Sequence, residues 1–127
     1  RPGPFEERPV LPAYLKMPGN ETFKIAVKTM GDAINEALEA NGLKKDDVSL
    51  IIPHQANIRI INAIKERLHL PDGKVFSNIA CYGNTSAGSI PLALDEAVKG
   101  GLVKNGDIII LAAFGGGFTW ASTAVRW

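Results

Sequence analysis

Three short strings hold the side chains whose types could do chemistry. They are Pro53-His54-Gln55-Ala56-Asn57, Tyr82-Gly83-Asn84-Thr85-Ser86 and Phe114-Gly115-Gly116-Gly117-Phe118. A neutral imidazole and a carboxamide are both hydrogen-bond donors without fixed charge. Such donors suit a carbonyl oxygen that turns negative during a reaction, because they stabilise the charge as it develops. The glycines let backbone N–H groups approach the same kind of oxygen with no side chain in the way. Each string also has an ordinary explanation: a structural histidine, a helix cap and a turn. What favours chemistry is their joint occurrence at successive strand ends. A zinc site is not expected, because the other histidine, His69, falls in a surface turn. The single cysteine, Cys81, rules out an internal disulfide, and no basic neighbour in the sequence marks it as reactive.

The elements that must position these groups follow from hydrophobic periodicity. Residues 1–13 contain four of the eight prolines and are expected to form an extended leader, with one domain over 14–127. A short strand is expected at 14–17, closed by the Pro18-Gly19 turn. From Asn20, a candidate N-cap, Phe23, Ala26, Val27, Met30, Ile34, Ala37 and Leu38 line one helical face, and Gly42 suits the position past its end. Residues 48–53 form a buried strand, 56–68 a second helix and 74–77 a short strand. A third helix is expected to begin near 84–86 and to end at Gly100-Gly101. Residues 107–114 form a strand apolar at almost every position, and the glycine run turns the chain into a last strand over 118–127. Alternation of this kind predicts an α/β fold: a five-stranded mixed sheet with helices on both faces and the last strand antiparallel. In open α/β sheets reactive groups collect past the carboxyl ends of the strands, which is where His54, Asn84 and the glycine turn should meet.

Composition narrows the class without naming it. With 127 residues, 46% of them hydrophobic and 21% charged, the chain suits one globular domain with its own core. A net charge of +1 and the lack of a basic run give no reason to expect nucleic acid as a partner. No apolar stretch approaches the roughly twenty residues of a membrane helix. One cysteine fits a reducing compartment, so a cytoplasmic location is expected. The first residues, Arg1-Pro2-Gly3-Pro4, show neither an initiator Met nor a signal pattern, and suggest a truncated or cleaved chain.

Pro-His-Gln-Ala-Asn at 53–57, Gly-Asn-Thr-Ser at 83–86 and Phe-Gly-Gly-Gly-Phe-Thr-Trp at 114–120 resemble the carboxy-terminal half of β-ketoacyl-acyl carrier protein synthase III, a thiolase-fold condensing enzyme. Met17-Pro18-Gly19-Asn20-Glu21 with Phe23 resembles the same enzymes, and the likeness runs from about Met17 to Trp127. It implies half of a thiolase fold and a two-step reaction. A cysteine of the amino-terminal half takes an acyl group from coenzyme A. Malonyl-acyl carrier protein then loses carbon dioxide, and its carbanion attacks the acyl-cysteine.

Carried over by this resemblance, His54 and Asn84 are the catalytic pair that stabilises the enolate-like oxygen. The backbone N–H of Gly116 contributes to the oxyanion hole. Gln55, Ala56, Asn57, Ile58 and Arg59 meet the acyl carrier protein, with Lys24, Lys28, Lys65 and Arg67 adding positive charge. Gly19, Phe23, Ala56 and Asn57 line the coenzyme A tunnel. The resemblance further implies a homodimer, no cofactor beyond the coenzyme A thioester substrate, and an amino-terminal half as obligatory partner. The nucleophilic cysteine has no counterpart here, so the chain alone is expected to be inactive. A non-catalytic acyl- or carrier-binding module is the alternative, as is a related condensing enzyme of secondary metabolism.

Overall fold

The computed structural model describes residues 17–127. Its elements in chain order are α1 (Gly19–Ala40), β1 (Leu50–Pro53), α2 (Ile58–Arg67), the single turn α3 (Ile79–Tyr82), α4 (Ser89–Lys99), β2 (Ile108–Gly115) and β3 (Thr119–Arg126). Short 3-10 turns precede β1 and α4. β1 pairs parallel with β2, and β2 pairs antiparallel with β3, in the order β1-β2-β3.

The strands are apolar at successive positions because both faces of the sheet are covered. Ile51 of β1 and Ile108, Ile110 and Ala112 of β2 point to one side, where Met30 and Ile34 of α1 and Ile64 of α2 meet them. Leu50 and Ile52 of β1 and Ile109 of β2 point to the other, against Ala93 and Ala97 of α4. The first core is the larger, and Ile34, Ile52, Ile64, Ile109 and Ile110 are fully buried within the two. Each such side chain contributes about 1.5–3 kcal/mol of transfer free energy.

The α/β class and the helices on both faces agree with the sequence, but five strands do not: among the described residues the sheet has three. Of the strand expected at 14–17, only Met17 lies within the described residues, and it is not in a strand. The strand expected at 74–77 shrinks to one parallel bridge, Ile51 to Val75. Pairing stops there because the buried amide of Gln55 takes over the next backbone groups, accepting from the Asn78 N–H and donating to the Phe76 carbonyl.

Helix boundaries move for local reasons. α1 begins at Gly19 behind Pro18, so Asn20 lies inside the helix and is not its cap. α2 starts at Ile58, two residues later than expected, because the Asn57 side chain accepts from the Arg59 N–H and caps it. The third helix, expected from 84–86, starts late as α4 at Ser89, and a separate single turn, α3, precedes it. Gly83, at φ 67° and ψ −158°, ends α3 in a conformation open essentially only to glycine. Asn84 then turns the chain by accepting from the Ser86 N–H at 2.9 Å, and α4 starts only at Ser89. Pro91 fits because it lies in the first turn, where no intrahelical N–H partner is required.

Candidate active site

Parallel pairing brings the carboxyl ends of β1 and β2 side by side. β1 delivers His54 one residue past its end, where the His54 N–H still bonds the Ala112 carbonyl at 2.7 Å. β2 delivers Gly115 and the glycine turn. The loop between α3 and α4 delivers Asn84. His54, Asn84, Ser89, Gly116 and Trp120 together line one open cleft of about 680 Å³. The structure thus joins the three sequence strings, although Asn84 arrives from a loop and not from a strand end.

The side chains in this cleft are restrained from behind. His54 Nδ1 lies 2.6 Å from Ser89 Oγ. Burial pushes the half-buried imidazole below its ordinary pKa, which favours the neutral ring. The Asn84 oxygen is occupied by the Ser86 N–H, which leaves its NH2 with no partner among the described residues. The Asn84 loop is tied to α4 by one carboxylate: Glu96 accepts from Asn78 Nδ2 at 2.8 Å and from the Tyr82 hydroxyl at 2.6 Å. Those bonds, Tyr82 first, hold the Glu96 carboxyl below its usual range, while the same contact pushes the Tyr82 hydroxyl up. Gly117 has φ 144°, and a Cβ there would meet Thr119 Cγ2 at 2.9 Å, so the turn after Gly116 requires glycine.

The residues expected to meet carrier protein and coenzyme A lie elsewhere. Gly19, Phe23, Ala56, Asn57, Ile58 and Arg59 gather at the starts of α1 and α2, and none lines the cleft. The Arg59 guanidinium sits 5.6 Å from the Phe23 ring centroid, a cation–π distance. Phe23 and Ala56 are half-buried against the larger core, whereas Gly19 is open. Gln55 departs from its expected role: it is 1% exposed, and its amide bonds Pro53, Phe76, Ser77 and Asn78. It is an internal strut that offers no surface to a partner.

The positive patch is thinner than the sequence suggests. Lys28 and Arg67 share Asp32, and Lys65 pairs with Asp72. Among the described residues Lys24 and Arg59 have no carboxylate within ion-pair distance. Ser89 was missed as a site residue; its position five residues after Asn84 was the available signal, but it resembled a small packing residue.

Among the described residues no three His, Cys, Asp or Glu side chains gather as a metal site, and Cys81 is exposed. No helix described is long and apolar enough to cross a membrane.

A mixed sheet covered by helices on both faces, with polar groups gathered past its strand ends, defines an α/β domain with a candidate active site at the carboxyl rim of its sheet. The chain belongs to the family described as 3-oxoacyl-[acyl-carrier-protein (ACP)] synthase III C terminal, whose model matches residues 38–127. It is 55% identical over 114 residues to the beta-ketoacyl-[acyl-carrier-protein] synthase III of Aquifex aeolicus, covering 90% of this chain and 37% of that protein. The synthase III of Alkalilimnicola ehrlichii is 50% identical over 123 residues, 97% of this chain and 38% of the relative.

The crystal structure of the Aquifex aeolicus synthase superposes with a TM-score of 0.87 over 90% of this chain and 37% of that one, at 55% identity. The priming beta-ketosynthase of the R1128 polyketide biosynthetic pathway follows at 0.81 and 40% identity, over 87% and 33%. The chain therefore spans between 33% and 38% of the length of these relatives.

Proposed function

We propose that this chain is the carboxy-terminal part of a condensing enzyme that joins an acyl group from coenzyme A to malonyl-acyl carrier protein, at the start of fatty acid synthesis. One observation carries the reading: two uncharged donors, His54 and Asn84, share a cleft with the backbone of a glycine turn. Loss of carbon dioxide from the malonyl group leaves negative charge on the thioester oxygen. A neutral imidazole N–H and a carboxamide N–H hold that charge without first attracting the malonyl carboxylate, as a cation would. The Gly116 N–H serves the oxyanion of the acyl-thioester intermediate. Acyl acceptance needs an activated thiolate, which the amino-terminal half supplies; Cys81 is not that group. In this reading the partners are that half, an acyl carrier protein, acyl-coenzyme A and a second copy, in the cytoplasm, with no metal or bound cofactor.

The test uses the full-length protein and two separate half-reactions. His54→Ala and Asn84→Ala each lower malonyl-acyl carrier protein decarboxylation by about 10²–10³-fold, the cost of one oxyanion donor. Acyl transfer from coenzyme A falls far less. Unchanged decarboxylation in both variants would sink the assignment.

A further inference from the structure

Ser89 is 2% exposed, and its hydroxyl has three neighbours and one proton. The Gln55 N–H points to Ser89 Oγ at 3.3 Å and can only donate. The Ser86 carbonyl lies 3.0 Å from Oγ and can only accept. His54 Nδ1 lies 2.6 Å away and does either, according to which ring nitrogen carries the proton. If the hydroxyl proton goes to Ser86, Nδ1 must donate, and the nitrogen left for the cleft is a bare acceptor. If it goes to Nδ1, the ring proton sits on Nε2, and His54 becomes a donor.

Two observations decide between these arrangements. The Ser86 carbonyl already receives the Ser89 backbone N–H, so it does not depend on the hydroxyl. A heavy-atom distance of 2.6 Å falls in the range of hydroxyl donors and below that of N–H donors. We infer that Ser89 is a positioning residue that donates its hydroxyl proton to His54 Nδ1 and so holds the imidazole as the Nε2–H tautomer. The inference rests on the reading of His54 as a donor to the developing oxyanion and supplies what that reading lacks, a cause for the tautomer. The Gln55 N–H completes the device: by occupying one Oγ lone pair it disfavours an Nδ1–H pointing at the same oxygen. Because Ser89 starts α4 and His54 follows directly on β1, the bond also sets the position of α4 against the sheet.

Ring-nitrogen NMR of the full-length protein labelled with 15N-histidine reads the tautomer directly, with His54 assigned by its disappearance in His54→Ala. The expected spectrum shows a protonated Nε2 and a bare Nδ1 in the wild type. In Ser89→Ala the ring becomes a mixture, and the turnover number for malonyl-acyl carrier protein decarboxylation falls by up to about a hundredfold, the lower cost of losing one such donor. KM and acyl transfer from coenzyme A change little. Ser89→Thr, which keeps the hydroxyl, restores both the spectrum and the rate. A wild-type ring protonated on Nδ1 overturns the inference without any variant. Unchanged decarboxylation in Ser89→Ala, with the step lost in His54→Ala, overturns the role of Ser89 alone. Full decarboxylation in His54→Ala overturns the reading beneath it.

Discussion

Gly83 and His54 show how single residues hold the cleft. At φ 67° and ψ −158° Gly83 aims the following residue, Asn84, and any side chain there must leave this conformation or bear its strain. Gly83→Ala should cost about 1–3 kcal/mol of stability. The decarboxylation rate should fall further than that loss explains, because the Asn84 amide moves; retained rate with lost stability would show that Asn84 is placed by other means. His54 carries a stability signature of its own. Its folded pKa is depressed by burial, so the unfolded chain binds the proton more readily. Between the depressed value and about 6.5, unfolding free energy rises with pH and is lost on acidification. Denaturant melts of the full-length protein from neutral pH downward should show a steeper loss in the wild type than in His54→Asn. Parallel curves would mean that the imidazole keeps its ordinary affinity for protons.

At the scale of elements, the charges along α1 and α2 separate docking from structure. Asp32 pairs with both Lys28 and Arg67, and its own carboxyl is held below the usual range, first by Arg67 and then by Lys28. These exposed pairs are worth little to stability, about 0–1 kcal/mol. Arg59, stacked on Phe23, is with Lys24 one of two cations on these helices free of carboxylates among the described residues, and in the proposed function it is the one that meets an acidic carrier protein. In the full-length protein Arg59→Glu should slow the malonyl-carrier step severely and acyl transfer from coenzyme A much less. Added salt should slow the wild type and barely touch the variant, since steering is screened over about 10 Å near 0.1 M. Equal losses in both steps would point to folding or to a coenzyme A contact.

These elements also show what the sequence could disclose. The apolar face of α1 and the unbroken apolar run of β2 announce themselves, because their periods of 3.6 and of buried strand are burial patterns. The rim that unites His54 with the glycine turn follows from parallel connection alone. The late start of α4 does not, because Ala87 suits a helix, and only the Asn84–Ser86 bond and the 3-10 turn over Ser86–Gly88 hold the start back to Ser89. Gln55 is the sharper lesson. A polar residue beside a catalytic candidate looks like a contact, yet burial and four internal bonds make it a strut. Three of the four join residues more than twenty positions apart and leave no local signal.

Taken whole, the molecule is covered unevenly. α1 and α2 shield one face of the sheet, but on the other α4 stands nearly alone, with Leu92 at 42% exposure. Apolar surface of this kind is normally an interface. The chain by itself should therefore self-associate as concentration rises and should catalyse no condensation; a monomer at high concentration with this face wet would count against the half-fold reading. Sedimentation measures the first, and a mass increase on Cys81 after incubation with acetyl-coenzyme A would contradict the second. The imbalance also grades the exchange of backbone amides with deuterated water. Amides of α1, β1 and the start of β2 open only when everything unfolds, whereas α4, with the smaller core behind it, opens alone and exchanges sooner. Ser89 and the Asn84 loop travel with α4, so in the isolated chain the tautomer latch is released by each such opening, and it closes for long only when a second body lies against that helix.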